Sequence, residues 1–200
     1  PKDFNDDAIT KVSNDGKIIY QKSVAKILLE NDMQNLLFSS ENFNKNPIHL
    51  NDIEPVNKDG KYWKKGDLFL SLRNLSMIIL YRPSTNKIIN IIKGDFLNQH
   101  DVDIIDEETI SIFNNNAVST INGMVVNEES KVILYNFGNK KFYNKHYKNS
   151  NNIKFSTTTH GLSEILEDGS MLVEDRNNGR IVMFNGKEEL VWSFVNKYDD

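Results

Sequence analysis

The sequence predicts an all-β fold, a β-propeller made of four-stranded antiparallel blades. Three observations carry this. Short runs rich in Ile, Val, Leu and aromatic residues recur between polar turns. One motif, a polar residue followed by a strand, a turn and a second strand, recurs along the chain. No apolar stretch is long enough for a membrane-spanning helix; the longest runs, such as Met77-Ile-Ile-Leu-Tyr81, have strand length.

The repeat starts at Asp7, His49, His100 and His160. Asp7-Ala-Ile-Thr-Lys-Val-Ser-Asn-Asp-Gly16 and His160-Gly-Leu-Ser-Glu-Ile-Leu-Glu-Asp-Gly169 have the same length, and His100–Thr109 fits the same frame with Thr109 in the place of Gly. The His49 copy has a longer turn, from Asn57 to Gly66. Second strands follow at Lys17–Tyr20, Asp67–Leu72, Ile110–Phe113 and Ser170–Val173. Third strands are read at Ala25–Leu29, Met77–Tyr81, Lys131–Tyr135 and Gly179–Phe184, and closing strands at Ile88–Ile92 and Leu190–Phe194. Ser23 to Asn35 alone also reads as an amphipathic helix, but the repeat assigns it to a blade. The copies start roughly 40–60 residues apart, the blade spacing of a propeller with loop insertions. A β-sandwich also gives many short strands but does not call for a repeated His-led strand. The expectation is one domain over 1–200, with blades near 7–45, 46–95, 96–150 and 155–197. It is either a small propeller or part of a larger one.

Composition narrows the function. The chain has 200 residues, a net charge of −4 and a sequence pI near 5.6, which argue against nucleic acid and anionic membranes as partners. The lack of cysteine excludes disulfides, thiolate chemistry and Cys-ligated metals. The bias to Asn, Lys and Ile reads as genome composition. The first residue, Pro1, reads as a trimmed or mature chain.

The first strand of each blade lines a propeller's axis, so Asp7, His49, His100 and His160 are expected to converge on one mouth. Only four histidines exist; His146, in a polar stretch, reads as a surface residue. Arg73 and Arg176 each lie seven residues after a turn glycine, Gly66 and Gly169. Imidazoles beside a guanidinium fork make a site for sulfate, phosphate or carboxylate oxygens. Taken singly, Arg176 reads as a surface residue closing a turn. A metal held by His49, His100, His160 and Asp7 is conceivable, but separate blades set such residues far apart. The expectation is no metal and no cofactor.

His49-Leu-Asn-Asp-Ile, Gly66-Asp-Leu-Phe-Leu-Ser-Leu-Arg73-Asn and Gln99-His100-Asp-Val-Asp resemble, in this order, the motifs of the arylsulfotransferase propeller family. The stretch Ser156–Val173 is similar to that family's next blade. The resemblance covers about residues 45–195, and 7–45 more weakly. It implies transfer of a sulfuryl group from an aryl sulfate to a phenol without a nucleotide sulfate donor. His100 would be the transiently sulfated nucleophile, with His49 and Arg73 on the sulfuryl and leaving oxygens. His160, Asn51, Arg176 and Asp7 would line the substrate site. It also implies a periplasmic or secreted bacterial setting. The chain departs from the family in carrying Asp7 where a further histidine is usual, and in its length; an incomplete propeller would favour self-association. A non-catalytic propeller binding an anionic or aromatic ligand, or a protein, at the same mouth is the alternative reading, and a metal-dependent hydrolase a third.

Overall fold

The computed structural model describes residues 3–38, 45–145 and 153–197. Three four-stranded antiparallel sheets dominate, and in each the strands lie side by side in the order in which they occur along the chain. The second unit orders β3 (Leu50–Pro55), β4 (Leu68–Leu72), β5 (Met77–Arg82) and β6 (Lys87–Ile92). The third orders β7 (His100–Ile104), β8 (Thr109–Asn114), β11 (Lys131–Asn136) and β12 (Lys141–Asn144). Between its second and third strands it carries a separate hairpin, β9 (Ala117–Thr120) with β10 (Gly123–Val126). The fourth orders β13 (Leu162–Ile165), β14 (Met171–Asp175), β15 (Arg180–Phe184) and β16 (Leu190–Val195). The middle strands are the most buried: all six residues of β8 and five of the six in β5 are closed to solvent. Burial on both faces accounts for the unbroken run Met77–Tyr81 of β5, whereas β8 also buries the polar Thr109, Ser111 and Asn114.

The first unit departs from the expected four-stranded blade. It is a two-stranded hairpin, β1 (Ala8–Val12) with β2 (Ile18–Ser23), followed by a helix, α1 (Val24–Glu30), where a third strand was read at Ala25–Leu29. The cause is local. Ser23 caps the helix by accepting from the Lys26 backbone N–H at 2.9 Å. Val24, Ala25, Ile27 and Leu28 then fall on one helical face and are buried. That face fits the core formed with Ile48, Leu70, Leu72, Met77, Ile79 and Tyr81 of the second unit. A short second helix, α2 (Asn35–Phe38), follows.

The cores lie between units. The second core joins Phe69, Ile78 and Leu80 of the second unit to Val102, Ile110, Ile112 and Ile133 of the third. The third joins Phe113 and Val132 to Met171, Val173, Val182 and Phe184 of the fourth. Carboxylates latch the same junctions. Asp7 accepts from the Leu50 N–H at 2.8 Å, Asp52 from Val102 at 2.8 Å and Asp101 from Ser163 at 2.5 Å. Each first-strand carboxyl thus pins the next unit by accepting one of its backbone N–H groups. On the far side of the fourth sheet Leu162, Ile181, Trp192 and Phe194 stay exposed. Among the described residues no helix is long and apolar enough to cross a membrane.

Gly161 shows how tightly the third junction closes. Its φ is +104°, and a Cβ there would lie 2.4 Å from Cε1 of Phe113. Gly161→Ala is expected to cost about 2 kcal/mol, through overpacking and left-handed strain. A lower urea midpoint at unchanged m-value would register it.

Candidate functional site

The first strands and the turns after the second strands bring the site together. His49 and His160 hold left-handed backbone, with φ of 55° and 63°, a region His tolerates better than most residues. In the third unit Asn98 (φ 50°) and Asp101 (φ 52°) are left-handed, and His100, which opens β7, is not. The three histidines therefore do not share one backbone register. Their rings differ accordingly: His100 is buried, His49 half-buried and His160 exposed.

His100 is the most constrained of the three. Its ring stacks on His160, with centroids 5.8 Å apart and planes 23° apart. Its Nδ1 lies 2.6 Å from Oδ1 of Asn115, and its Nε2 accepts the His160 backbone N–H at 3.2 Å. Burial pushes the His100 pKa down to about 4, helped by the charges of Arg73, His160 and His49 and opposed by the Asn115 hydrogen bond. The ring is thus neutral at pH 7.

Arg73 begins a 3-10 turn, Arg73–Leu75, directly after β4, and its backbone N–H donates to the His49 carbonyl at 3.0 Å. The guanidinium donates to Oδ1 of Asn74 at 2.9 Å, and no carboxylate among the described residues pairs with it. Burial lowers its pKa. A half-buried cation without an anion is a ready partner for sulfate oxygens. Burial and then the Arg73 charge also lower the His49 pKa, against the pull of Asp7. His49 Nδ1 lies 2.9 Å from Nδ2 of Asn46, an amide donor, which leaves the proton on His49 Nε2.

A cleft of about 210 Å³ opens beside His100, walled by His160, Asn51, Arg176, Asp52 and Asp101. Its volume is below the ~300 Å³ of a drug-sized pocket and suits a ligand with a single ring. His49 and Arg73 are not on this wall; they reach His100 through their charges. Arg176 is exposed and starts the 3-10 turn Arg176–Asn178. Asn51 donates to the Gln99 carbonyl at 2.8 Å, while its own Oδ1 is buried without a partner. The Asp7 carboxylate accepts the Leu50 amide N–H, and its charge pulls the His49 pKa upward. His146 lies outside the described residues. Among the described residues no three His, Asp or Glu side chains are grouped to hold a metal ion.

Asn115 was not singled out by sequence, although a signal existed. It follows directly on β8, as Arg73 follows β4 and Arg176 follows β14. Three successive units thus place Arg, Asn and Arg at the exit of the second strand.

Below the imidazoles the first strands carry a carboxylate column: Asp52, Glu54, Asp101, Asp103 and Glu164. Burial raises Asp101 to about 7 and Asp103 to about 8, and the neighbouring carboxylates add to the Asp103 shift. Asp52 and Glu54 are raised as well. Oδ2 of Asp103 has no hydrogen-bond partner. A pKa raised on folding means that the native state holds more protons. Stability from these groups is full below pH 4 and is lost as pH rises through 7 to 8. The depressed His100 works the other way, but only below about pH 6.5. Stability is expected to fall by about 2 kcal/mol between pH 6.5 and 9. Chemical denaturation across that range would show it, and Asp103→Asn should remove most of the slope.

The family model for arylsulfotransferase (ASST) matches residues 2–197. No curated protein matches this sequence. Among solved structures, a protein of unknown function from Bacteroides caccae aligns with TM-score 0.58 at 12% identity, over 96% of this chain and 60% of that one. Virginiamycin B lyase from Staphylococcus aureus aligns with TM-score 0.52 at 9% identity, over 96% of this chain and 50% of that one. The Dos1 propeller gives TM-score 0.51 at 9% identity, over 96% of this chain and 43% of that one. At such identities the likeness is one of fold, and it is to proteins of which this chain spans 60% or less.

Proposed function

The chain belongs to the arylsulfotransferase (ASST) family, and from that premise we propose that its histidine cleft moves a sulfuryl group from an aryl sulfate to a phenol, with His100 as the nucleophile. The observation that carries this reading is a buried, neutral imidazole within electrostatic reach of a half-buried guanidinium that no carboxylate among the described residues pairs with. Nucleophilic attack needs the neutral ring, and the sulfuryl oxygens need the cation.

The reaction is two displacements. The Nε2 lone pair of His100 forms a bond to sulfur as the sulfur–oxygen bond to the aryl group breaks, and the bonding pair leaves on the phenolate oxygen. The Nε2–H of His49 donates a hydrogen bond to that oxygen as its charge develops, and the phenolate leaves as the anion. In the second half, the acceptor phenol reacts as its phenolate, its proton passing to solvent, and its oxygen attacks sulfur. The nitrogen–sulfur bond breaks and its electron pair returns to His100. Arg73 offsets charge on the sulfuryl oxygens in both halves. His160, Asn51 and Arg176 line the space for the aromatic ring.

One contact favours a second reading. The lone pair that must attack is held by the His160 amide, so a cleft that never releases it would bind an aryl anion without turnover. Incubation with p-nitrophenyl sulfate and no acceptor separates the two. Transfer leaves one SO₃ increment on the peptide that carries His100, stable in base and labile in acid, read by mass spectrometry. An unmodified His100 peptide from folded protein with bound donor would overturn the transferase reading.

A further inference from the structure

We propose that Asn115 is the positioning residue of this site: it fixes His100 as the Nδ1–H tautomer and so makes Nε2 the reacting nitrogen. The claim about chemistry rests on the transferase reading; the claim about the ring stands apart from it.

Two independent contacts fix the proton. Nδ2 of Asn115 donates to two carbonyl oxygens, Thr157 at 2.9 Å and His160 at 2.6 Å. Carbonyls only accept, so the amide nitrogen must face them and Oδ1 must face His100. Oδ1 lies 2.6 Å from Nδ1 and also only accepts, so Nδ1 carries the proton. At the other end of the ring Nε2 accepts a backbone N–H from His160, which requires a bare lone pair. Asn115 has no solvent exposure, so water offers its amide no competing partner.

This arrangement does more than orient the ring. When Nε2 bonds to sulfur, positive charge spreads over the imidazole and Nδ1–H becomes the proton of a cation. The Asn115 oxygen then accepts a charge-assisted hydrogen bond that was neutral in the resting state. Because Asn115 is uncharged, it raises the resting ring's basicity less than a carboxylate would, and burial keeps the ring neutral. Asn115 therefore leaves intact the neutral ring that attack requires. Asn115 also ties His100 to the fourth unit, since both of its carbonyl partners lie just ahead of β13.

The test begins without any substrate. In protein carrying ¹⁵N-labelled histidine, long-range ¹H–¹⁵N spectra at pH 7 are expected to show His100 with a protonated Nδ1 and a bare Nε2. Asn115→Ala should turn this into a mixture of tautomers. Asn115→Asp keeps the shape of the side chain but sets an oxygen against the Thr157 and His160 carbonyls, so the fold of both variants is checked by circular dichroism, and the wild-type tautomer alone keeps the proposal falsifiable. Asn115→Asp should move the His100 titration up by about one pH unit or more. In the transfer assay Asn115→Ala is expected to lower kcat roughly 100-fold with little change in KM, and Asn115→Asp to shift the acidic limb of the pH–rate profile upward. A wild-type ring protonated on Nε2, or a tautomer unchanged in Asn115→Ala, would overturn the proposal. A fixed Nδ1–H tautomer that Asn115→Ala releases, in a protein that transfers no sulfuryl group, would uphold the positioning and sink only the transferase reading.

Discussion

Replacing His100 by Ala is expected to lower acceptor-dependent release of p-nitrophenolate from p-nitrophenyl sulfate by about ten-thousand-fold. The size follows from the kind of residue removed. A nucleophile has no substitute within the two-step route, and what remains is whatever Arg73 and the cleft do for direct transfer. The imidazole sits in a buried pocket made by β7, Asn115 and the His160 turn, so the variant leaves a small cavity and needs a folding control. His100→Asn serves, because it keeps a polar group near Asn115 without a ring nitrogen to attack. Loss of release in both variants, with the wild-type circular dichroism spectrum, places the chemistry on this ring. Release that persists in both removes His100 from the reaction.

The second large effect is on stability. Arg82→Met is expected to destabilise the chain by about 3 kcal/mol. Asp67 is 1% exposed and takes two hydrogen bonds from Arg82, each 2.7 Å long, and a third from the Lys64 N–H at 2.9 Å. Removing the guanidinium leaves a buried carboxylate without its charge partner, a far larger loss than that of an exposed ion pair. Asp67 heads β4, and Arg73 leaves the other end of the same strand, so loosening here also reaches the site. The double variant Asp67→Asn with Arg82→Met should recover much of the loss, because the unpaired charge goes with the pair. Equal urea midpoints for the wild type and Arg82→Met would show that Asp67 is solvated, against its geometry.

Much of the fold could be read in advance because strands between two units are apolar on both faces. Met77–Tyr81 is unmistakable for that reason, Ile110–Phe113 stands out by its Ile and Phe residues despite Ser111, and their neighbours follow from the turn residues. The misreading at Ala25–Leu29 has an equally physical cause. Its apolar residues satisfy a helix and a strand alike, and the Ser23 cap with the i, i+3, i+4 face decides for the helix. Analogy with the other units pointed the wrong way. The hairpin β9–β10 stayed hidden because it is an insertion with no counterpart in the other units. In the site, His49, His100, His160 and Arg73 stand out because their residue types are rare in this chain. Asn115 does not, since the chain is full of asparagine and the role of this one comes from two carbonyls distant in sequence. That the Asp7 carboxylate also accepts the Leu50 amide N–H is a matter of direction, which spacing alone does not give.

The lone pair of His100 belongs to one unit and the amide that covers it to the next. The distance between them is therefore a gap between two sheets, set by how Phe113, Val132 and Phe155 seat against Val173 and Val182. Nucleophilicity at this ring becomes a mechanical quantity. On the proposed reaction, a wider gap frees the nitrogen and a narrower one holds it under the amide. Substitutions in that apolar seam, remote from any ligand, then act as a throttle on the cleft.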